Sequence, residues 1–283
     1  METLRKKLNE LLESKVKLDE SLMVKLPKSI FQEAIQGRLV PQDPSEESAS
    51  ALLEKIWNDK QQLVKEGKLK ARDNIRSIIF RGDDNKYYEQ VGSEVTEITE
   101  DIPFELPSGW SWSRLNNLCV IMTGATFKKD EATTSKQGIR ILRGGNILPF
   151  ELRVKDDDIF LAKDKIKETI LLKENDILTP AVTSLENIGK MARVDKDMPD
   201  TTVGGFVFII RLHMANAWFS KYIIYLLSSP FMVDFMKSIT NKSGQAFYNI
   251  GKERLSTALL PIPPSEEQQR IVAQIERLFE QLR

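Results

Sequence analysis

The chain has 283 residues, 41% hydrophobic and 29% charged, which suits one large domain with accessory segments or two modest domains. One cysteine, Cys119, and one histidine, His213, exclude an internal disulfide framework and an ordinary zinc site of these ligands. No apolar run approaches the roughly 18 residues of a membrane span, and the first residues lack a signal peptide's apolar core. We therefore expect a soluble, cytoplasmic, metal-free protein with no membrane partner.

The charges cancel overall but are unevenly distributed along the chain. Residues 83–101 carry a net charge of −6, whereas residues 102–262 carry +4 and residues 1–82 carry +3. A modestly basic region suits a polyanionic partner, but the same excess is common in proteins that never bind DNA. Charge alone therefore leaves the function open.

Helical spacing dominates the first 82 residues, which we interpret as a helical spacer region. A coiled-coil-like stripe, interrupted at Lys15, is formed by Leu4, Leu8, Leu11, Leu18 and Leu22. Pro27 should kink this helix or begin a new one, which Gly37 then caps at its C-terminus. A further helix is predicted after Ser48, its expected N-cap. The acidic stretch 83–101, which contains a glycine, is interpreted as a linker.

The sequence pattern changes from Ile102 onward. Ten of the fourteen glycines lie in residues 102–262, where short β-branched or apolar runs alternate with turn signals. Strands are predicted at 138–143, 175–179 and 204–212, and a single helix at 218–236. Because strands and helices do not alternate regularly, the predicted fold class is mixed α/β (α+β), with mixed or antiparallel strands rather than a doubly wound sheet.

The last residues, 263–283, are predicted to begin a second spacer helix that Ser265 caps. Its apolar stripe consists of Ile271, Ile275, Leu278 and Leu282. We expect such a stripe to pair with a helix from outside the domain, for instance from a second copy of the chain.

The motifs of catalysis are missing. The sequence has no G-x-x-x-x-G-K-[ST] phosphate loop, no G-x-G-x-x-G turn and no Asn-Pro-Pro-aromatic motif of an amino-group methyltransferase. The three carboxylates at 156–158 are interpreted as a solvated turn, and His213 as a surface or capping residue. We therefore predict no catalytic residue, no metal and no cofactor in this chain.

Polar, glycine-containing loops offer a different chemistry. Lysine neutralises phosphates, while arginine, asparagine and glutamine make paired hydrogen bonds to base edges. The candidate DNA-binding residues are Thr126, Lys128, Lys129, Arg143, Asn146, Thr183, Ser184, Lys190, Asn241, Lys242, Gln245 and Tyr248. Composition alone favours the interpretation of these segments as ordinary surface loops.

Three segments resemble the specificity subunit of bacterial and archaeal type I restriction-modification enzymes. Residues 26–56 are similar to its helical region, residues 102–115 to the entry of its target-recognition domain, and residues 260–271 to the exit. The resemblance implies a non-catalytic subunit that binds double-stranded DNA and recognises one half of a bipartite target. It also implies partners: modification (methyltransferase) subunits that carry S-adenosylmethionine, and a restriction subunit that carries ATP and Mg²⁺.

The chain departs from the family's usual pattern of two recognition domains, because it has one such domain between two helical pieces. It is a half-subunit that dimerises, the product of a rearranged or truncated gene, or a piece of a longer chain. Of these we favour a homodimer that pairs the two leucine- and isoleucine-rich stripes. The alternatives in function are a helical adaptor that binds protein without recognising DNA, and the specificity arm of a fused restriction-methylation enzyme.

Overall fold

The structure, a computed structural model, describes residues 26–243 and 246–282, without the side chain of Arg72. The Leu4–Leu22 stripe and Gln245 lie outside the described residues. The helices are α1 (26–35), α2 (Ala49–Lys65), α3 (Leu115–Leu118), α4 (Ala217–Leu227), α5 (Pro230–Ser238), α6 (Lys252–Ser256) and α7 (Ser265–Gln281).

Short strands fill most of the space between these helices. They are β1 (Ser77–Arg81), β2 (Tyr87–Val91), β3 (Glu94–Glu97), β4 (Ser111–Arg114), β5 (Cys119–Thr123), β6 (Ile139–Leu142), β7 (Ile147–Leu148), β8 (Glu151–Leu152), β9 (Ile159–Leu161), β10 (Ile177–Pro180), β11 (Val182–Thr183), β12 (Ala192–Arg193), β13 (Thr201–Val203), β14 (Val207–Leu212), β15 (Thr240–Ser243), β16 (Phe247–Ile250) and β17 (Leu259–Ile262).

A four-stranded antiparallel sheet with the order β12-β10-β14-β5 forms the centre of the domain. The predicted strands at 138–143, 175–179 and 204–212 correspond to β6, β10 and β14. A neighbouring sheet, β13-β6-β9, contains one parallel pair, between β13 and β6, and one antiparallel pair. The predicted mixed α/β fold class is therefore confirmed.

The largest hydrophobic core joins the helices to the central sheet. It contains Phe31 of α1 and Leu52 of α2 together with apolar residues of β5, α4 and α7. Ile271 and Ile275 of α7 are fully buried in this core, where α7 packs against α4. The prediction that these two isoleucines need a helix from outside the domain is wrong, because α4 of the same chain covers them. Leu278 and Leu282 are half-buried.

The two segments that bound the domain in sequence meet in space. Strand β4 pairs antiparallel with β17, with Ser111 opposite Ile262. Next to this pair, Trp110 Nε1 donates a 2.9 Å hydrogen bond to Glu267 Oε2. Helix α2 is attached at the same place, because Ala49 N donates to Gly109 O at 2.8 Å. The domain is thus closed by its own entry and exit segments.

The acidic stretch 83–101 is not an irregular linker, so that interpretation is wrong. It contains β2 and β3, which continue an antiparallel sheet that begins with β1. Glu89 of β2 faces Arg114, whose Nη2 donates to Glu89 Oε2 at 2.6 Å and whose Nε donates to both carboxylate oxygens at 3.1 Å. The carboxylate of Glu89 therefore pairs with the domain instead of facing solvent. The domain boundaries themselves stay predictions.

Local signals account for several helix ends. Gly37 has a φ of 68°, which glycine adopts without strain, and Arg38 N bonds back to Glu33 O at 2.9 Å, so its role as a C-cap is confirmed. The predicted helix 218–236 is two helices, because Ser229 caps α5 and Pro230 begins it. Ser48 precedes α2 without a side-chain cap bond, and Ser265 is the first residue of α7, not its cap.

Two groups expected at the surface are buried. Asp158 is fully buried among hydrogen-bond donors, and His213 is only 8% exposed, so the solvated-turn and surface interpretations of these residues are wrong. Within residues 26–243 and 246–282, no three His, Cys, Asp or Glu side chains are grouped as a metal ion would require. None of the helices in those ranges combines the length and hydrophobicity of a membrane crossing.

Candidate nucleic-acid interface

Several strands end at one edge of the two packed sheets. Thr123 lies beside Phe208 near the start of β14, and Pro180 lies directly opposite Val207. In the neighbouring sheet, Val203 pairs with Leu142 at the shared end of β13 and β6. Because all these ends point the same way, the loops that follow them must emerge side by side.

We define the loop face as these loops and the ribbon attached to them. Its members are the loops 124–129, 143–146, 181–190 and 204–206 and the two-stranded ribbon of β15 and β16. The ribbon belongs to this face because β16 also pairs with β11, with Val182 opposite Asn249 and Thr183 opposite Tyr248. Segments far apart in sequence are thereby brought onto one surface.

Backbone hydrogen bonds hold the loops to each other. Gly204 N donates to Leu142 O at 2.8 Å, and Ala125 N donates to Val203 O at 2.7 Å. Ala181 N donates to Phe206 O at 2.8 Å. These bonds tie each loop to a neighbouring loop or to the end of a neighbouring strand, so the loop face is one connected surface and not a set of independent segments.

Gly124 shows how closely the loops approach. A Cβ atom at this position would lie 2.1 Å from Val203 O and 2.5 Å from Gly204 O. Any side chain there would push the loops 124–129 and 204–206 apart. The glycine at this position therefore serves the packing of one loop against another.

A cleft of about 290 Å³ opens on the loop face. One wall is Gly144 and Gly145, and the other consists of the 181–190 loop and the ribbon. Its lining residues are Gly144, Gly145, Pro180, Val182, Thr183, Ser184, Asn187, Lys190 and Phe247. The loops 143–146 and 181–190 and the ribbon, which carry most of the candidate residues, thus share one concave surface.

The electrostatics of the loop face favour an anion. Its segments carry five basic side chains and one acidic side chain, Glu186; the basic ones are Lys128, Lys129, Arg143, Lys190 and Lys242. The four lysines make no ion pair within the described residues, and Arg143 Nη2 lies 3.7 Å from Asp157 Oδ2. Unpaired cations on one connected surface suit the phosphate backbone of DNA.

Asn146 does not belong among the contact residues. It is 1% exposed, and its amide is committed to the protein: Nδ2 donates to Asp158 Oδ1 at 2.7 Å and to Arg153 O at 2.9 Å. Its Oδ1 accepts a 2.8 Å hydrogen bond from Arg143 N. The prediction that Asn146 binds DNA is therefore wrong, and its role is to hold the turn that presents Arg143.

The other predicted residues differ in accessibility. Those exposed on the loop face are Thr126, Lys128, Lys129, Arg143, Asn241 and Lys242, and the half-buried ones are Ser184, Lys190 and Tyr248. Thr183 is 8% exposed and forms part of the cleft wall, so little of its side chain is available to a ligand. Direct contact of the accessible residues with DNA stays a prediction.

Sequence reasoning missed the two exposed aromatic side chains of the loop face. Phe206 is 74% exposed and Phe247 is 56% exposed. Both lie in runs that the sequence presents as strand or polar loop, where a phenylalanine is expected to face a core. Asn249, also exposed, was missed because nothing local distinguishes it from other loop amides.

A second cleft, of about 170 Å³, lies away from the loop face between α2, β1 and β4. Its two charged lining residues, Arg76 and Glu54, form an ion pair with each other. It therefore offers no unpaired cation, and the loop face is the better candidate for a polyanion.

Comparison with known proteins identifies the class to which this domain belongs. The family model described as type I restriction modification DNA specificity domain matches residues 107–283. The chain belongs to this family. The match begins just before β4 and runs through the whole loop face, and the family assignment confirms that the chain is a DNA-specificity component, not an enzyme.

Individual relatives agree with this assignment. The specificity subunit of the type I restriction enzyme EcoAI from Escherichia coli is 32% identical over 90% of this chain and 39% of its own length. That of EcoEI, also from Escherichia coli, is 26% identical over 90% and 40%. The chain therefore spans about two fifths of the length of the curated relatives that it matches.

Solved structures of the same class are similar over most of the chain. The HsdS subunit from Thermoanaerobacter tengcongensis has a TM-score of 0.45 at 16% identity, covering 94% of this chain and 50% of that one. A structure from work on complex assembly and conformational transition of the type I R-M system has a TM-score of 0.46 at 18% identity, covering 95% and 51%. The family assignment rests on the sequence matches.

Proposed function

We propose that the chain recognises one half of a bipartite DNA target through its loop face. The observation that carries this proposal is the convergence of the loops 143–146 and 181–190 with the β15–β16 ribbon around one cleft. Its unpaired lysines supply sequence-independent attraction to phosphates, while Arg143 and the amides of the ribbon supply hydrogen bonds to base edges.

The chemistry that follows recognition is proposed to reside on other chains. Modification subunits would bring S-adenosylmethionine and methylate the target, and a restriction subunit would bring ATP and Mg²⁺. The helices α1, α2 and α7 are the proposed docking elements, because residues of all three belong to the largest hydrophobic core. This chain would place those partners on a defined DNA sequence.

We further propose that a second copy of the chain supplies the other half of the target. Two copies related by a two-fold axis would recognise an inverted repeat whose spacing is set by the helices between the domains. Because Ile271 and Ile275 are buried in their own core, the contact between copies must use other residues. Light scattering of the purified chain with its modification subunit measures the number of copies directly.

Co-expression with the cognate modification subunit, followed by single-molecule methylome sequencing of the host, tests the proposed function. The expected result is one new bipartite methylated motif that is absent from cells lacking this chain. If the two proteins form a complex and no motif is methylated, the proposal fails. Failure to bind any duplex in a salt-dependent manner would favour instead a helical adaptor that binds protein.

A further inference from the structure

The ribbon of β15 and β16 has two chemically different faces. In an antiparallel pair, residues directly opposite each other point to the same side, and the side alternates along the strand. Asn241 lies opposite Asn249, and Ser243 lies opposite Phe247, so these four residues share one face. Lys242 and Tyr248 share the other.

The face with the two asparagines is the one that looks toward the cleft. Val182 of β11 lies opposite Asn249 and therefore continues this face onto the next strand. Phe247 is the ribbon residue that lines the cleft, and of the β11 residues both Val182 and Thr183, which lies opposite Tyr248, line it as well. The cleft side of the ribbon is thus neutral, and the charged Lys242 lies on the other side.

Both amides on this face are available to a ligand. Asn241 and Asn249 are exposed, and neither side chain has a hydrogen-bond partner within the described residues. The contrast with Asn146, whose amide makes three hydrogen bonds inside the protein, is clear. Directly opposite residues on paired strands have Cβ atoms about 5 Å apart, so the two amides form one small hydrogen-bonding patch.

Phe247 gives this patch an apolar neighbour. It is 56% exposed and lies two residues from Asn249 on β16, a separation of roughly 7 Å at 3.4 Å per residue. An exposed phenylalanine held on a strand, next to unpaired amides and in a cleft that Lys190 also lines, suits a ligand that combines an apolar group with a hydrogen-bonding edge.

We propose that Asn241, Asn249 and Phe247 recognise an A·T base pair in the major groove, an inference that rests on the proposed function. A two-stranded ribbon fits the major groove, where adenine presents N7 as an acceptor and its N6 amino group as a donor. An asparagine amide matches both groups, and the thymine of the same pair adds a methyl group that a phenyl ring contacts. The lysines at the edge of the loop face would bind the flanking phosphates.

The experiment uses the complex of this chain with its modification subunit and the motif found by methylome sequencing. Each A·T pair of the half-site, other than one that carries the added methyl group, is changed in turn. Replacing adenine by 7-deazaadenine removes the N7 acceptor, and replacing thymine by uracil removes the methyl group. Binding of each duplex is measured for the native complex and for the complexes containing Asn241→Ala, Asn249→Ala and Phe247→Ala.

At one A·T pair, 7-deazaadenine should weaken binding of the native complex about tenfold, and this effect should disappear in Asn241→Ala or Asn249→Ala. At the same pair, uracil should weaken native binding severalfold, and Phe247→Ala should remove that sensitivity. A half-site without such a pair, or variants that remain as sensitive to the analogues as the native protein, would overturn the inference.

Two control variants separate this result from other causes. Thr96→Ala changes an exposed polar side chain on β3, outside both the loop face and the proposed docking helices, and should leave all affinities unchanged. Lys242→Ala, on the opposite side of the ribbon, should weaken binding to every duplex by the same factor. If no motif is methylated at all, the proposed function fails; if a motif is methylated and the two asparagine variants leave it unchanged, only this inference fails.

Discussion

Asn146 Nδ2 donates a 2.7 Å hydrogen bond to Asp158 Oδ1, a carboxylate with no exposed surface. The same carboxylate accepts hydrogen bonds from Arg140 Nη1 at 3.1 Å and Lys155 N at 2.9 Å. This buried network fixes the turn that carries Arg143 onto the loop face. The candidate interface therefore depends on Asn146, although Asn146 itself is buried.

Asn146→Ala should lower the free energy of unfolding by about 1–3 kcal/mol, because it removes a donor from a buried carboxylate. Urea denaturation followed by circular dichroism measures the change. Asn58→Ala, which truncates an exposed asparagine, should change stability by less than about 0.5 kcal/mol. Equal stability of the two variants would contradict a structural role for Asn146.

Lys128→Ala and Lys129→Ala should weaken DNA binding without changing the preferred sequence. Each lost phosphate contact should reduce the slope of log affinity against log salt concentration by about 0.9. Fluorescence anisotropy of a labelled duplex at several salt concentrations gives this slope.

The matched control for these lysines is Lys196→Ala. Lys196 is exposed and follows β12, whose Arg193 lies opposite Ile177 at the start of β10, so it lies at the edge opposite the loop face. Its removal should leave the slope unchanged. A slope that changes equally in all three variants would argue against the loop face as the DNA-binding surface.

His213 should make the protein less stable as the pH falls from about 7 to about 4. Burial, with a smaller contribution from the nearby Lys60, lowers the pKa of His213 from 6.5 to about 4. The unfolded chain therefore binds a proton in this window that the folded chain does not, so stability is lost on acidification. The shift corresponds to roughly 3 kcal/mol.

As the chain's one histidine, His213 can be followed by proton NMR without assignment. Its ring signals should titrate near pH 4 in the folded protein. His213→Leu should reduce the loss of stability between pH 7 and pH 4 by roughly 3 kcal/mol. A titration near pH 6.5 would show instead that the imidazole is accessible to solvent.

Ile275→Ala should destabilise the fold and leave the oligomeric state unchanged. The side chain is fully buried between α7 and the rest of the core, so the cavity should cost about 2–5 kcal/mol. Leu278→Ala, at a half-buried position of the same helix, should cost less. If Ile275→Ala kept native stability but changed the mass measured by light scattering, the result would support the predicted contact between the α7 stripe and a helix of another chain.

Much of the fold follows from local sequence signals. The β-branched runs form β6 and β14 as predicted. Gly37 has the positive φ of a helix C-cap, and the entry and exit segments pair with each other as β4 and β17. The break between α4 and α5 was also present locally, as the Ser229-Pro230 pair that begins a helix.

The wrong predictions share one physical cause: the residue or helix that pairs with the predicted one lies far away in the sequence. In the sequence, Glu89 is part of an acidic stretch that we expect to be solvated. In the structure, Arg114 lies beside it and donates to its carboxylate. Asp158 is buried only because Arg140 and Asn146 satisfy its charge and lone pairs. The same is true of α7, whose apolar stripe finds α4 of its own chain.

The candidate site could likewise be predicted only in part. The residue types and loops were predictable from their lysines, amides and glycines. Their convergence was not, because it depends on the register that aligns the ends of β5, β6, β10 and β13. Asn249 and Phe247 became candidates only when the ribbon placed them on the same face as Asn241.

Hydrogen–deuterium exchange of the complex with its modification subunit, with and without the methylated target duplex, tests the central claim most directly. The loop face should exchange more slowly in the presence of the target: residues 124–129, 143–146, 181–190 and 204–206 and the ribbon. A duplex of scrambled sequence at the same salt concentration should protect it much less. Protection confined to the β1–β3 sheet or to α2, or equal protection by both duplexes, would contradict recognition of DNA sequence by this face.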